Sequence, residues 1–260
     1  MARLYAAKER PSFNPLIAHV ASLDMAKREG RFNKAANALA SKVWPGPLTL
    51  VTPLAETYTI CELARAGLST IALRQPAHPV AAALLTAFNG PLVAPSANPS
   101  GKVSPTRPEH VAIDMGECVD LILDGGPCKI GIESTILSCL EEAPQLLRHG
   151  GFDAAAYTDA IQDEAKPLAP GGLSKHYAPN ATLRLNAIEP SPGDAYLGFG
   201  PSEATLNLSE SGDLLEAAAN LFAMLRQLDR SWARIAVAPI PMVGLGLAIN
   251  DRLVRAAKRD

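Results

Sequence analysis

The chain has 260 residues, of which 48% are hydrophobic, and its formal net charge is −2 at pH 7. This length exceeds the usual size of one domain, and the apolar content is sufficient for two cores. No apolar run approaches the roughly 18 residues of a membrane span, and the N-terminal apolar run Leu4–Ala7 is too short for a secretory signal, so we expect no membrane partner.

Short apolar runs alternate with helical patterns over the first 150 residues. This alternation, with Pro or Gly at nearly every junction, predicts an α/β domain with a twisted, mixed sheet. The predicted strands are Leu16–Val20, Pro47–Thr52, Thr70–Leu73, Pro91–Ala94, Asp120–Leu123 and Ser134–Ser138. The predicted helices are Phe32–Val43, Val80–Phe88 and Pro108–Asp114.

Prolines and glycines predict an extended linker over residues 166–180. We therefore predict one domain over residues 1–165 and a smaller α/β domain over residues 181–260. In the smaller domain, apolar residues from Leu214 to Leu228 recur at helical spacing. The other elements predicted there are the strands Asp194–Phe199 and Arg234–Ile240 and the helix Leu245–Lys258.

The cysteines and the charge distribution give weaker indications. Cys61, Cys118, Cys128 and Cys139 are too far apart for a C-x-x-C motif, which favours buried free thiols in a reducing, cytoplasmic compartment. The N-terminal part of the chain is basic. It could face a nucleotide, an RNA or a phosphate, or it could be a solvated helix surface.

The segment Ala94–Thr106 reads A-P-S-A-N-P-S-G-K-V-S-P-T. Its hydroxyl and amide side chains can surround an oxyanion with donors, Gly101 permits close backbone approach, and Lys102 adds positive charge. A Ser/Pro-rich surface turn explains the same residues, so the segment alone leaves both interpretations open.

Two clusters earlier in the chain suit an anionic ligand. Lys8 and Arg10 precede Asn14 and His19 around a proline-stiffened turn, an arrangement that fits a polyanion beside a smaller polar ligand. His19 could equally be a structural histidine. Strand alternation places Arg74 on one face at the end of an apolar strand, where a ligand carboxylate would neutralise it.

Two further clusters are weak by themselves. Glu133 opens the run E-S-T-I and could be a metal-associated carboxylate or a general base, although structural pairing is the favoured interpretation. Arg148 leaves an apolar strand just before Gly150 and Gly151, which is an ordinary arrangement at a protein surface.

Taken in order, these motifs resemble one family. K-x-R-P-x-x-N-P-L-x-x-H, T-x-A-x-R-x-P-x-H-P, P-S-A-N-x-S-G-x-x-S-P-T, E-S-T-I and L-R-x-G are similar to the motifs of the YrdC-like threonylcarbamoyl-AMP synthases. P-G-G-L-S-K-H-Y-A-P resembles the linker of the longer, two-domain members. The resemblance covers about Leu4 to Pro179. It implies a YrdC-like catalytic domain followed by a smaller, Rossmann-like C-terminal domain.

The resemblance implies an enzyme that condenses L-threonine, bicarbonate and ATP into L-threonylcarbamoyl-AMP and pyrophosphate, with Mg²⁺. A separate tRNA threonylcarbamoyl-transferase complex would use the product, so that tRNA is an indirect partner. The implied catalytic residues are Lys8 and Arg10, and no protein metal ligand is implied. The implied ATP-binding residues are Arg10, Asn14, Thr70, Ser96, Ser104, Arg148, His176 and Tyr177. The implied threonine-binding residues are His19, Arg74, Ala94 and Ser134.

The chain differs from the family pattern at its start. It begins almost directly at the K-x-R motif, and it contains no T-x-Y-G-L segment such as the family carries upstream. We therefore expect an N-terminally truncated catalytic domain. Two alternatives stay open at this point: an RNA-binding module, and a catalytically impaired fragment that still binds nucleotide.

Overall fold

The computed structural model describes residues 1–158 and 176–258, which form two compact units. The first unit combines Met1–Pro95 with Glu133–Gly172, and the second combines Ser96–Ile132 with Leu173–Asp260. The units therefore do not follow the order of the chain. The predicted domain boundaries stay a prediction, and residues 166–175 of the predicted linker lie outside the described residues.

The first unit contains helices with recognisable local causes. The Ser22 and Asn33 side chains accept the backbone N–H groups of Met25 and Ala36, so both are N-caps. The helices are α1 Ala2–Lys8, α2 Leu23–Glu29, α3 Lys34–Val43, α4 Glu62–Arg65 and α5 Pro79–Phe88. The strands are β1 Ile17–His19, β2 Leu48–Pro53, β3 Thr70–Arg74, β4 Leu92–Val93, β5 Thr135–Ser138 and β6 Gln145–Arg148.

These six strands form a mixed sheet in the order β4-β1-β3-β2-β5-β6. The pairs β1–β3 and β2–β5 are parallel, and the other neighbours are antiparallel. The carboxyl ends of β1, β3 and β6 therefore share one edge with the amino ends of β2, β4 and β5. This edge is called the site edge below, because several predicted binding residues lie on it.

The two faces of this sheet differ in what covers them. On one face, Leu50, Leu73 and Leu137 join a large core with the apolar residues of α2 and α3. The other face carries a small cluster formed by Ile17, Val51, Ala72 and Ile136. This second face is called the site face, because His19, Arg74 and Ser134 lie on it by strand alternation.

The second unit is built around a four-stranded, all-parallel sheet in the order β7-β10-β8-β9. Its core includes the buried face of α7, with Leu221, Phe222 and Leu225 fully covered. This arrangement is Rossmann-like, as predicted. The elements are α6 Pro108–Met115, a 3-10 turn Gly116–Cys118, β7 Thr182–Arg184, β8 Ala195–Gly198, β9 Leu206–Asn207, α7 Leu214–Asp229, β10 Arg234–Val237 and α8 Leu245–Ala257.

Two sequence-based predictions are wrong. Asp120–Leu123 is not a strand: Leu121 is 74% exposed, and the segment pairs with no strand in the described part of the chain. Without a partner strand, apolar residues alone do not form a ladder. All four cysteines are free, but only Cys139 is buried, so the predicted burial is wrong for the other three.

Among the described residues, six short elements were not predicted, namely α1, α2, α4, β7, β9 and the 3-10 turn Gly116–Cys118. The other predicted strands and helices are present within a few residues of their expected ends. Within residues 1–158 and 176–258, no helix combines the length and the apolar character needed to cross a membrane.

Candidate active site

His19 and Arg74 are neighbours on the site edge of the first unit. They are paired positions of the parallel strands β1 and β3, so both side chains leave the same face of the sheet. The Nε of Arg74 donates to the carbonyl oxygen of Gly46 at 3.0 Å, which orients the guanidinium. The guanidinium of Arg74 and the imidazole of His19 therefore lie next to each other at the carboxyl ends of β3 and β1.

The imidazole of His19 is held neutral at physiological pH. Burial, followed by the positive charge of Arg74, lowers the pKa of His19 to about 4. The backbone of Leu92 and Ile17 opposes this shift to a smaller extent. His19 therefore acts as a neutral hydrogen-bonding group beside a permanent cation.

Ser134 and Arg148 form a second polar group on the same face. The hydroxyl oxygens of Ser134 and Thr49 are 2.7 Å apart, and the guanidinium of Arg148 donates to the Ser134 carbonyl oxygen at 3.1 and 2.8 Å. Its Nη2 also lies 3.2 Å from the Ser134 Oγ. Ser134 precedes β5, two strands from β3 and two residues away from the position opposite Arg74, so it lies about 12 Å from the Arg74 position.

Gly150 makes this second group possible. A Cβ at residue 150 would lie 2.3 Å from both the Ser134 carbonyl carbon and the Thr135 nitrogen. The backbone after Arg148 therefore passes directly against the start of β5, and Gly151 donates its N–H to the Glu133 carbonyl oxygen at 2.9 Å. The spacing of L-R-x-G thus has a steric cause.

Lys8 and Arg10 lie on either side of the turn that ends α1. Glu9 between them has φ 50° and ψ 40°, the left-handed conformation that ends many helices. The guanidinium of Arg10 donates to the carbonyl oxygens of Asn14 and Pro15 at 3.3 and 2.9 Å. Lys8 is 4% exposed.

Arg10 is also close to Arg148. Burial is the main cause that lowers the pKa of Arg10, and the positive charge of Arg148 contributes in the same direction, whereas Tyr5 opposes both. Two guanidinium groups that repel each other are stabilised by an anion between them. The first unit therefore brings together two of the cations expected at the ATP phosphates.

Buried polar atoms without a partner mark three of the predicted residues. In the described part of the first unit, such atoms are Asn14 Oδ1, His19 Nδ1, Thr52 Oγ1 and Thr70 Oγ1. All except Thr52 belong to the predicted ATP or threonine sites. Because a buried polar atom normally has a partner, these atoms are candidates for bonding to a substrate.

Thr70 and Ala94 occupy other positions of the same sheet. Thr70 begins β3 on the site face, four residues or about 13 Å from the Arg74 position. Ala94 follows β4 and donates its N–H to the Ile17 carbonyl oxygen at 3.1 Å. Both lie in the first unit, with Thr70 near the edge opposite the site edge.

The remaining predicted residues belong to the second unit. Ser96 begins the loop that the Asn98 amide shapes by donating to the Pro99 and Lys102 carbonyl oxygens at 3.1 and 2.9 Å. Ser104 is 4% exposed, and its carbonyl oxygen accepts from the guanidinium of Arg226 at 3.2 Å. This loop is therefore an ordered turn within its own unit.

His176 and Tyr177 are packed into the second unit. Their rings make an edge contact with 4.0 Å between the centroids. Tyr177 is 1% exposed, stacks on Phe222 at 5.2 Å, and lies under the guanidinium of Arg252 at 5.6 Å. In this conformation the Tyr177 ring is a core side chain, and its predicted role at the nucleotide stays a prediction.

Known proteins are similar to this chain over both of its units. Residues 1–150 match the family described as "Telomere recombination", and residues 133–258 match the family "Threonylcarbamoyl-AMP synthase, C-terminal domain". A threonylcarbamoyl-AMP synthase of Bacillus subtilis is 37% identical over 98% of this chain and 82% of its own length. The chain belongs to the threonylcarbamoyl-AMP synthase family.

A second member of the family and its solved structure are also similar. The threonylcarbamoyl-AMP synthase of Pyrococcus abyssi is 35% identical over 98% of this chain and 83% of its own length. The crystal structure of P. abyssi Sua5 complexed with L-threonine has a TM-score of 0.88, with 34% identity over 98% of this chain and 84% of that one. The predicted family and α/β fold class are confirmed.

Sequence reasoning missed two side chains that support the predicted residues of this family member. Thr49 is 0% exposed and holds the Ser134 hydroxyl, but a threonine in an apolar strand is an ordinary β-former. The hydroxyl of Tyr5 donates to the Leu63 carbonyl oxygen at 3.0 Å and lies beside Arg10. An unpredicted helix carries Tyr5, so no local pattern drew attention to it.

Proposed function

We propose that this chain condenses L-threonine, bicarbonate and ATP into L-threonylcarbamoyl-AMP and pyrophosphate. The observation that carries the proposal is the set of buried, unpartnered polar atoms on Asn14, His19 and Thr70. These three residues belong to the family motifs, and the same unit holds the guanidinium groups of Arg10 and Arg74. A site with donors, acceptors and cations suits an amino acid and a nucleotide.

Arg74 binds the threonine carboxylate in this proposal. Its guanidinium is oriented by the Gly46 carbonyl oxygen, and a carboxylate at the site edge would accept charge-assisted hydrogen bonds from it. The neutral ring of His19 is next to Arg74 and offers Nδ1 to a polar group of the substrate. Ser134 and the backbone at Ala94 would complete the contacts to threonine.

Arg10, Arg148 and Lys8 bind the triphosphate in this proposal. A phosphate group between Arg10 and Arg148 would offset the repulsion that contributes to the lowered pKa of Arg10. Asn14, Thr70, Ser96, Ser104, His176 and Tyr177 would provide the other contacts to ATP. Lys8 and Arg10 would stabilise the charge that develops on the leaving pyrophosphate.

The reaction needs no protein nucleophile. The threonine amine attacks the carbon of bicarbonate and water leaves, which gives a carbamate. A carbamate oxygen then attacks the α-phosphorus of ATP, and the bond from that phosphorus to the bridging oxygen of the pyrophosphate group breaks. Catalysis therefore depends on holding the two substrates in line and on neutralising charge.

Mg²⁺ is expected to accompany the triphosphate rather than to be held by protein ligands. In residues 1–158 and 176–258, no group of three or more His, Cys, Asp or Glu side chains could hold a metal ion. Mg²⁺ in nucleotide sites commonly keeps several waters and binds substrate phosphates. When bound, it would neutralise part of the phosphate charge.

The product would serve a tRNA threonylcarbamoyl-transferase complex, so tRNA would be an indirect partner. We place the protein in the cytoplasm on this basis. Three of the four free cysteines are exposed. Exposed thiols stay reduced in the cytoplasm, which fits this placement.

Pyrophosphate release from ATP tests the proposal. We expect release by the full chain only when both threonine and bicarbonate are present, and we expect Arg74→Ala to raise the KM for threonine about 10- to 100-fold. Arg28→Ala is the control, because Arg28 is exposed on α2 and outside the site. Release that does not depend on threonine, or an unchanged KM in Arg74→Ala, would contradict the assignment.

Binding measurements separate the catalytically impaired fragment from the active enzyme. An impaired fragment would bind ATP with an affinity sensitive to Arg148→Gln and yet release no pyrophosphate. An RNA-binding module would bind RNA in the absence of ATP and show no threonine dependence. The proposed synthase requires both ATP binding and turnover.

A further inference from the structure

A polar pocket lies between α6 and α7 of the second unit. Its volume is about 340 Å³, near the lower end of the range for small-ligand sites, about 300–1,000 Å³. All of its lining residues belong to this one unit, and among the described residues that line it there is no carboxylate. The lining residues are Arg107, His110, Ala223, Arg226, Gln227 and Arg230.

Two of the three arginines are exposed and available to a ligand. Arg107 precedes α6 and Arg230 follows α7, and both are exposed. Within residues 1–158 and 176–258, neither makes an ion pair. The pocket therefore has two guanidinium groups without a neutralising carboxylate.

The third arginine is fixed and neutralised. The guanidinium of Arg226 makes two bonds to the Asp114 carboxylate, one of them 3.1 Å from Nη1 to Oδ1, and it also donates to the carbonyl oxygens of Val103 and Ser104. Its side chain is 14% exposed. Arg226 forms a rigid wall, and the net positive charge of the pocket comes from Arg107 and Arg230.

His110 adds a neutral donor to the same wall. The Nδ1 of His110 accepts the backbone N–H of Thr106 at 3.2 Å, so the proton of the neutral ring lies on Nε2. Burial lowers the pKa of His110, and the charges of Arg226, Arg107 and Arg230 lower it further, whereas Asp114 opposes them. The charges of Arg107 and Arg230 that lower this pKa would attract an anion to the same wall.

We propose that this pocket binds a phosphate oxyanion, with Arg107 and Arg230 as its charged contacts and the Nε2–H of His110 as a neutral donor. The phosphate could be free inorganic phosphate or a phosphodiester of RNA. The pocket differs from the proposed ATP and threonine sites, and none of its lining residues belongs to the motifs assigned to them. The inference therefore does not depend on the proposed synthase activity.

A neighbouring cavity of about 300 Å³ shows why the assignment is specific. It shares Arg226 and Arg230 with the pocket and is also lined by Lys102, but the carboxylates of Asp114 and Asp229 line it as well. Two carboxylates at the wall disfavour an anion there. We therefore assign the phosphate site to the pocket that Arg107 and His110 line, and not to the neighbouring cavity.

Calorimetry on the full chain tests the proposal with three probes: inorganic phosphate, a short single-stranded oligoribonucleotide, and uridine as an uncharged control. The variant is Arg107→Gln/Arg230→Gln, and the matched control is Arg184→Gln/Arg234→Gln, which removes two charges from exposed arginines of the same unit. We expect at least about tenfold weaker binding in the first pair and unchanged binding in the second. Both double variants keep the proposed ATP site, so anion binding there is the same in each. The difference in affinity between the two variants therefore reports on the pocket alone.

Proton NMR of His110 supplies a second measurement. Inorganic sulfate, whose charge is constant over the titration, should raise the pKa of His110, because the anion offsets the field of the arginines. In Arg107→Gln/Arg230→Gln the pKa should be higher without sulfate and should no longer respond to it. A spectrum like that of the wild type would establish that this variant is folded.

The probes distinguish the two sources of phosphate. Binding of inorganic phosphate alone would identify a free-anion site, whereas tighter, salt-dependent RNA binding that the variant loses would identify a phosphodiester site. If neither probe binds, or if Arg107→Gln/Arg230→Gln binds both as the wild type does, the proposal is wrong.

Discussion

His19 and Arg74 are paired positions in the register of β1 and β3, at the ends of two parallel strands. The register fixes a permanent cation beside a partly buried imidazole, and the imidazole stays neutral as a result. His19 and Arg74 are far apart in the chain. They become neighbours only because β1 and β3 pair side by side in the sheet.

Arg74→Gln should raise the pKa of His19. Removing the positive charge eliminates the second cause of the shift, but burial, the first cause, remains, so we expect a value above about 4 and below the ordinary 6.5. The His19 ring protons followed by NMR against pH provide the measurement. Arg28→Gln is the control, and an unchanged His19 titration in Arg74→Gln would show that the two side chains do not interact.

Stability should fall in acid partly because of His19. Its pKa is about 4 in the folded state and about 6.5 in the unfolded chain, so the unfolded state binds the proton first as the pH falls. The free energy of unfolding should therefore decrease between pH 6.5 and 4, by up to about 3 kcal/mol. Urea unfolding at several pH values measures this.

The control for that measurement is His19→Gln, which cannot titrate. The difference in unfolding free energy between the wild type and His19→Gln should change across this pH window and be constant above it. A difference that does not vary with pH would mean that His19 titrates equally in both states.

Gly150→Ala should destabilise the first unit. The new Cβ would lie 2.3 Å from backbone atoms of Ser134 and Thr135, which cannot move without disturbing the start of β5. We expect a loss of at least about 2 kcal/mol, together with a raised KM for ATP because Arg148 loses its position. Gly116→Ala is the control, since nothing lies within 4 Å of its added Cβ. Equal stability of the two variants would contradict the close approach.

Much of this sheet could be predicted from the sequence, because β1, β2, β3 and β5 are apolar runs with clear breaks. Their order could not, since it depends on contacts between distant segments. Asp120–Leu123 shows the reverse problem: its composition suits a strand, but no neighbour pairs with it. Helix α1 was missed because a left-handed Glu9 ends it, where a glycine would have been recognisable.

The candidate site residues come from ordered motifs, but several side chains and backbone groups that hold them in place could not be predicted from the sequence. The contact of Gly150 with Ser134 joins residues 16 positions apart, and the Thr49 hydroxyl lies on a different strand from its partner. Only the paired strands bring these atoms together. Local patterns identify residue types, whereas the tertiary structure identifies their partners.

The hydroxyl pair of Thr49 and Ser134 should behave as a coupled unit. Ser134→Ala leaves a buried Thr49 hydroxyl without its partner and removes one contact of Arg148, so we expect a loss of about 1–3 kcal/mol. In Thr49→Val/Ser134→Ala, both hydroxyls are gone, and the total loss should be smaller than the sum of the single losses. A double-mutant cycle by urea unfolding measures this coupling, and strict additivity would refute it.

Tyr177 offers a test of a predicted nucleotide contact against a packing role. Its ring is buried against Phe222 and under Arg252, so Tyr177→Ala should cost about 3–5 kcal/mol of stability, whereas Tyr177→Phe preserves the stack. If the ring acts through packing alone, Tyr177→Phe should keep both the melting temperature and the KM for ATP. If the hydroxyl contacts the nucleotide, Tyr177→Phe should raise the KM while the melting temperature is kept. Thermal melts and pyrophosphate release on the same samples decide between the two roles. Only a substrate contact would change the KM for ATP while the melting temperature stays the same.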